Sequence, residues 1–128
     1  MKITLIQTSP QADKAENLRI TRGLMEDAVR TDSPDLIVLP EYFEYYGGTS
    51  EEKLAAAESV PGGPAYKMAQ DFAREHKVFV HAGTLMGKGS ERKAHLQFHF
   101  RIQSRRPGDR ALSQDPYVRH RRAGRDGL

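Results

Sequence analysis

Few residues in this chain have the chemistry and the placement to act on a ligand. Cysteine is absent from all 128 residues, which removes disulfides, thiolate metal sites and any thiol nucleophile. Among the acids, Glu41 is distinctive: in the segment 35–43, DLIVLPEYF, it follows a short apolar run directly. A carboxylate just beyond a buried strand points from the strand's C-terminal end into the crevice where α/β folds bind ligands. On spacing alone, a solvated loop charge is the commoner fate of a lone glutamate. Tyr42 and Tyr45, just after it, are candidates for a substrate-binding wall, although tyrosines beside a strand end pack as often as they bind. Tyr46 shares that ambiguity, and Gly47 and Gly48 form a turn without completing a phosphate-binding loop. His95, His99 and His120 follow no zinc spacing and lack carboxylate or cysteine company, so no metal is expected.

The elements that must carry Glu41 are legible around it. Residues 2–7 (KITLIQ) read as a first strand closed by Thr8, Ser9 and Pro10. From Asp13 to about Arg30 the pattern is helical, with Leu18, Met25 and Val29 at helical spacing and Leu24 and Ala28 beside them. Asp32, Ser33 and Pro34 stop it. Residues 36–39 (LIVL) form a continuous apolar run that suits a central strand covered on both faces. Strand, helix and strand together imply a parallel βαβ unit. Residues 51–58 are rich in helix formers, and the turn 60–64 (VPGGP) leads into a second helix ending near His76. Ala65, Met68, Ala69, Phe72 and Ala73 lie on one face of it. Residues 78–81 (VFVH) read as a third strand, followed by Ala82, Gly83 and Thr84.

Composition divides the chain after Lys93. Residues 1–93 hold twelve Lys and Arg against fourteen Asp and Glu, a net of −2; residues 94–128 hold eight Arg against three Asp, a net of +5. The second segment has neither Lys nor Glu and is crowded with Arg, Gln, His, Pro and Ser. No sustained helical or strand period is read beyond Lys93, so 94–128 is expected to be an unstructured Arg-rich tail. The length suits one domain with a modest core. No apolar run approaches a membrane span, and the opening residues lack the pattern of a signal peptide, which together imply a cytoplasmic chain.

The order of the motifs resembles the N-terminal part of the nitrilase superfamily, the carbon-nitrogen hydrolases. A first strand ending in Q-x-x-P, a long helix and then DLIVLPEYF match that family's opening. The turn at 60–64 and the VFVHAG segment at 78–83 match the pieces that follow. The resemblance covers roughly residues 1–92 and implies an α/β architecture, the beginning of an α-β-β-α sandwich. The resemblance thus implies that residues 1–93 are a partial carbon-nitrogen hydrolase domain. In that family a cysteine thiolate attacks an amide or nitrile carbon, a glutamate is the general base, and a lysine stabilises the developing charge. Only the glutamate, Glu41, maps onto this chain. The resemblance implies a small amide or nitrile substrate, no cofactor, no membrane partner and a homo-oligomer for intact members.

The family normally continues with a Y-N-(S/T)-x-F-V-F strand and a lysine segment. Read from the second base of each codon, the codons from His95 onward permit I-Y-N-S-T-F-V-F-N-R-D-G-Q-E-I-A-R-Y-R-K-I-H-M-F-D. The junction of His99 and Phe100 allows only isoleucine or threonine, and that of Tyr117 and Val118 only methionine or threonine. The lysine would span the codons of Gln114 and Asp115. These junctions imply a frame change near Arg92 to Ala94, a tail never selected as protein, and a chain inactive as written. The half-fold is then expected to expose strand edges and apolar surface. Nucleic acid is the rival partner for the arginines, Arg105, Arg106, Arg119, Arg121 and Arg122 among them, but no recognition fold surrounds them and few aromatics are interleaved for base stacking.

Overall fold

The computed structural model describes residues 1–88 and the backbone of 95–102. The elements run β1 (Ile3–Leu5), α1 (Lys14–Asp32), β2 (Leu36–Val38), α2 (Ser50–Ala56), α3 (Pro64–His76), β3 (Phe79–Lys88) and β4 (His95–Ile102). They build a four-stranded sheet in the order β1-β2-β3-β4. β1, β2 and β3 are parallel, with Ile3, Leu36 and Phe79 in one row and Leu5, Val38 and His81 in another. The α/β architecture expected from the sequence is the one observed.

Local chemistry sets the helix ends. Asp13 caps α1, its side chain accepting the Glu16 N–H at 3.1 Å. Ser33 closes α1 in the left-handed region at φ 47°, donating its N–H to Val29, and Pro34 prevents continuation. Thr49 and Glu52 form a reciprocal capping box on α2. Pro64 stands in the first turn of α3, where its missing N–H costs nothing.

The core lies between one face of the sheet and helices α1 and α3. Ile6, Ile37, Leu39, Val80 and Ala82 meet Met25 and Ala28 from α1 and Ala65, Ala69, Phe72 and Ala73 from α3. The alanines of α3 let its backbone approach the sheet while Phe72 fills the space between. The buried stripe of α1 is Asn17, Thr21, Met25 and Ala28. Leu18 and Val29 flank it, whereas Leu24 lies on the exposed side. The helical period is right, but the stripe is rotated toward two polar residues, of which Asn17 makes buried hydrogen bonds and Thr21 leaves its hydroxyl without a partner among the described residues.

Three further differences separate the fold from its sequence reading. The run at 36–39 is fully buried only at Ile37 and Leu39, because the helices cover one face; Leu36 and Val38 are half-buried. On that second face Ile3 and Leu5 are 48% and 74% exposed, and β1 is an outer strand of the sheet among the described residues. β3 does not end at His81 but runs to Lys88, and β4 pairs with it antiparallel from Val80↔Ile102 to Lys88↔His95. Residues 95–102 therefore belong to the sheet, where the sequence reading placed no element beyond Lys93. The signal was present: Leu96, Phe98, Phe100 and Ile102 alternate with His95, Gln97, His99 and Arg101. Residues 103–128, with His120, the remaining arginines and the expected lysine codons at Gln114 and Asp115, lie outside the described residues.

Candidate active site

Glu41 stands just past the C-terminal end of β2, two residues after the buried Leu39. Its exposed carboxylate has no hydrogen-bond or ion-pair partner among the described residues. The backbone beneath it is held firmly. Leu39 donates its N–H to His81 O at 2.8 Å and Tyr42 donates to Thr84 O at 3.0 Å, so Pro40 and Glu41 arch between two fixed points on β3. Between those points β3 shifts register, and Gly83 takes φ +56° directly beneath the Pro40 carbonyl. A Cβ at Gly83 would strike Pro40 O and come within 2.7 Å of Pro40 C. Only glycine permits both that conformation and that approach.

Tyr42 occupies the left-handed region at φ 53°, an unusual place for a tyrosine, and is half-buried beside Glu41. Burial, then the Glu41 charge, then the Glu44 charge push its hydroxyl pKa up, so the ring presents a neutral hydroxyl. Tyr45 is buried against Ala57 and Met86 in a subsidiary apolar cluster that Tyr42 and Ala56 border. Its ring packs under the loop, while Tyr42 remains the tyrosine at Glu41's side. Tyr46 is exposed and donates its N–H to Gln11 O. The arrangement can place an unpaired carboxylate over the open end of a parallel sheet, on a loop fixed to β3.

The model of the carbon-nitrogen hydrolase family matches residues 2–103. The chain belongs to the carbon-nitrogen hydrolases. The matched span runs about ten residues beyond the resemblance read at 1–92 and takes in β4. A hydrolase of Schizosaccharomyces pombe is 30% identical over 84 residues, covering 66% of this chain and 26% of that protein. A nitrilase of Pyrococcus abyssi is 31% identical over 87 residues, covering 66% of this chain and 33% of that one. Among solved structures, the Caenorhabditis elegans NitFhit protein superposes with a TM-score of 0.71 at 20% identity, over 91% of this chain and 32% of its own. Saccharomyces cerevisiae Nit3, a member of branch 10 of the nitrilase superfamily, gives 0.66 at 17% identity, over 92% and 52%. The fold is thus that of the nitrilase superfamily, and this chain spans about a quarter to a third of the curated relatives it matches.

Sequence reasoning missed the buried polar side chains that hold the hydrolase loop in place. Asn17 clamps the chain on both sides: its Oδ1 accepts Gln11 N–H at 3.0 Å, and its Nδ2 donates to Gln11 O at 2.6 Å and Glu44 O at 3.0 Å. Glu58 accepts Ala65 N–H and Tyr66 N–H at 3.1 and 2.9 Å, capping α3, and pairs with Lys14 Nζ at 2.6 Å. Glu44 is fully buried; its Oε1 accepts Met86 N–H at 2.6 Å while its Oε2 has no partner among the described residues. The only sequence signal for any of them is Asn17 and Thr21 interrupting the apolar stripe of α1.

Proposed function

We propose that this chain carries the general-base part of a hydrolase acting on small amides or nitriles, with Glu41 as the base. The observation supporting that reading is the placement of Glu41: an unpaired carboxylate at the end of a central parallel strand, on a loop fixed at both ends to β3. In the complete enzyme Glu41 takes the proton of a cysteine thiol as the thiolate attacks the carbon, and later removes a proton from the water that cleaves the thioester. A lysine stabilises the charge on the tetrahedral intermediate. With no cysteine in its sequence, the chain as written does not perform this reaction. It is then a non-catalytic fragment of the fold.

The frame change near Arg92 to Ala94 is part of the same proposal. It stands against the strand alternation at 95–102 and the family match to residue 103, which keep the first residues of the tail with the fold. The deciding experiment is to resequence the gene across the codons of Glu91 to Leu128 and beyond the stop, then express whatever open frame results. A frame containing a lysine segment and a later cysteine, whose product releases ammonia from simple amides or nitriles and loses that activity in Glu41→Gln, supports the proposal. Absence of a downstream cysteine in every frame refutes the frame change. Amide hydrolysis by the 128-residue chain refutes its inactivity, and activity indifferent to Glu41→Gln refutes the role of Glu41.

A further inference from the structure

Glu44 lies three residues after Glu41 on the same loop, and nothing in the reaction described above uses it. It is one of two buried carboxyls in this region, the other being Glu58, and the two face a single ammonium, Lys14. That ammonium is already committed. Lys14 Nζ lies 2.6 Å from Glu58 Oε2 and donates to Ala56 O at 2.8 Å. Glu58 also accepts two N–H groups at the start of α3, so it has all the stabilisation a buried carboxylate requires. Glu44 Oε1 accepts the Met86 N–H and the carboxyl also faces its own backbone N–H, but its Oε2 has no hydrogen-bond partner among the described residues. Glu44 therefore has less to offset its burial, and that burial pushes its carboxyl pKa up.

That shift matters because of what Glu44 joins. Beyond Thr84, β3 runs out of loop backbone to pair with, and the Glu44 carboxyl fills the gap by accepting Met86 N–H. The Glu58 backbone takes over on the next groups, its N–H donating to Met86 O and its C=O accepting Lys88 N–H. Glu44 is therefore the side-chain rung between the Tyr42–Thr84 bond that holds Glu41 and the outer part of β3.

We propose that Glu44 is a positioning residue for Glu41, clamping the loop to β3 through its buried carboxyl and loosening it as that carboxyl ionises. The proposal rests on Glu41 being the functional group of this loop. Burial is the largest influence on Glu44 and raises its pKa from the ordinary 4.5; the Met86 N–H, its own N–H and Lys14 oppose this, and Glu58 adds to it. The other charged or titratable neighbours on the loop are Glu41 and Tyr42, with Tyr45 beneath. Because the folded pKa is raised, folded and unfolded chains respond alike below about 4.5. Above that value the folded state binds the extra proton, so protection falls as pH rises until the folded pKa is passed.

The test is amide hydrogen exchange at Met86 and Tyr42 in the 128-residue chain, against Glu44→Gln and Glu44→Ala, from pH 4 upward. In the unsubstituted chain the protection factors should fall about tenfold for each pH unit crossed within that window. Glu44→Gln keeps an acceptor for Met86 N–H and cannot ionise, so its profile should be flat, and Glu44→Ala should lose protection at every pH. A pH slope that persists in Glu44→Gln, or a flat profile in the unsubstituted chain, overturns the proposal. A constant offset between the two reduces Glu44 to an ordinary structural hydrogen bond and overturns it equally. Exchange is read without substrate, so its outcome is independent of whether Glu41 proves to be a catalytic base.

Discussion

Replacing Gly83 with alanine should damage this fold far more than a single methyl group suggests, and the cost can be worked from two parts. At φ +56° an alanine pays about 1–2 kcal/mol for its left-handed conformation. Its Cβ would also strike the Pro40 carbonyl and approach Leu39 O within 2.8 Å, so strand and loop must separate. The loop is pinned on both sides of that point by the Leu39–His81 and Tyr42–Thr84 bonds. Separation must stretch at least one of them, and an unsatisfied buried backbone group costs about 1–3 kcal/mol. Together these give a loss of about 2–5 kcal/mol, a large part of the 5–15 kcal/mol typical of a domain. Gly23 provides the control, since it lies within α1 with nothing within 4 Å of an added Cβ. There alanine should stabilise by about 0.5–1 kcal/mol through helix propensity. Urea unfolding of both variants, followed by circular dichroism, is the assay. Gly83→Ala within about 0.5 kcal/mol of the unsubstituted chain, the range of an inert surface change, would refute the close-approach argument.

Other expectations follow from the same structure. Glu58→Ala removes two N-cap bonds from α3 and strands Lys14 with little solvent, so urea unfolding should show a loss of about 3–5 kcal/mol; a loss under 1 kcal/mol would mean Lys14 simply turns outward. Leu5→Lys, on the uncovered face of the edge strand, should leave the unfolding midpoint nearly unchanged while lowering light scattering in concentrated solution, and a large destabilisation would show that this face is covered.

Most of the Glu41 neighbourhood was legible because it depends on local pattern. The apolar run at 36–39, the stop after Pro40 and the charged helix before them are features of adjacent residues, and they place Glu41 at a strand end without reference to the rest of the chain. The apolar face of α3 was legible for the same reason, since Ala65, Ala69, Phe72 and Ala73 recur at the helical period. The rotation of α1 was not: Leu24 and Asn17 are assigned to outside and inside by the loop that Asn17 must clamp. The strand at 95–102 was present as an alternation but obscured by the arginines and prolines that follow it.

By itself the sequence determined the family, the parallel βαβ unit and the place of Glu41 after its second strand, because each is encoded in residues close together in the chain. Tertiary structure alone decided that Gly83 must lie beneath Pro40, that Tyr45 packs while Tyr42 stays beside Glu41, and that β3 continues to Lys88. It also decided the fate of three carboxylates that look alike in the sequence. Glu41 is solvated, Glu58 shares a buried charge with Lys14, and Glu44 is buried with one oxygen unpartnered. Burial and the supply of counter-charges are set by elements distant in sequence, and those decide what a carboxylate does.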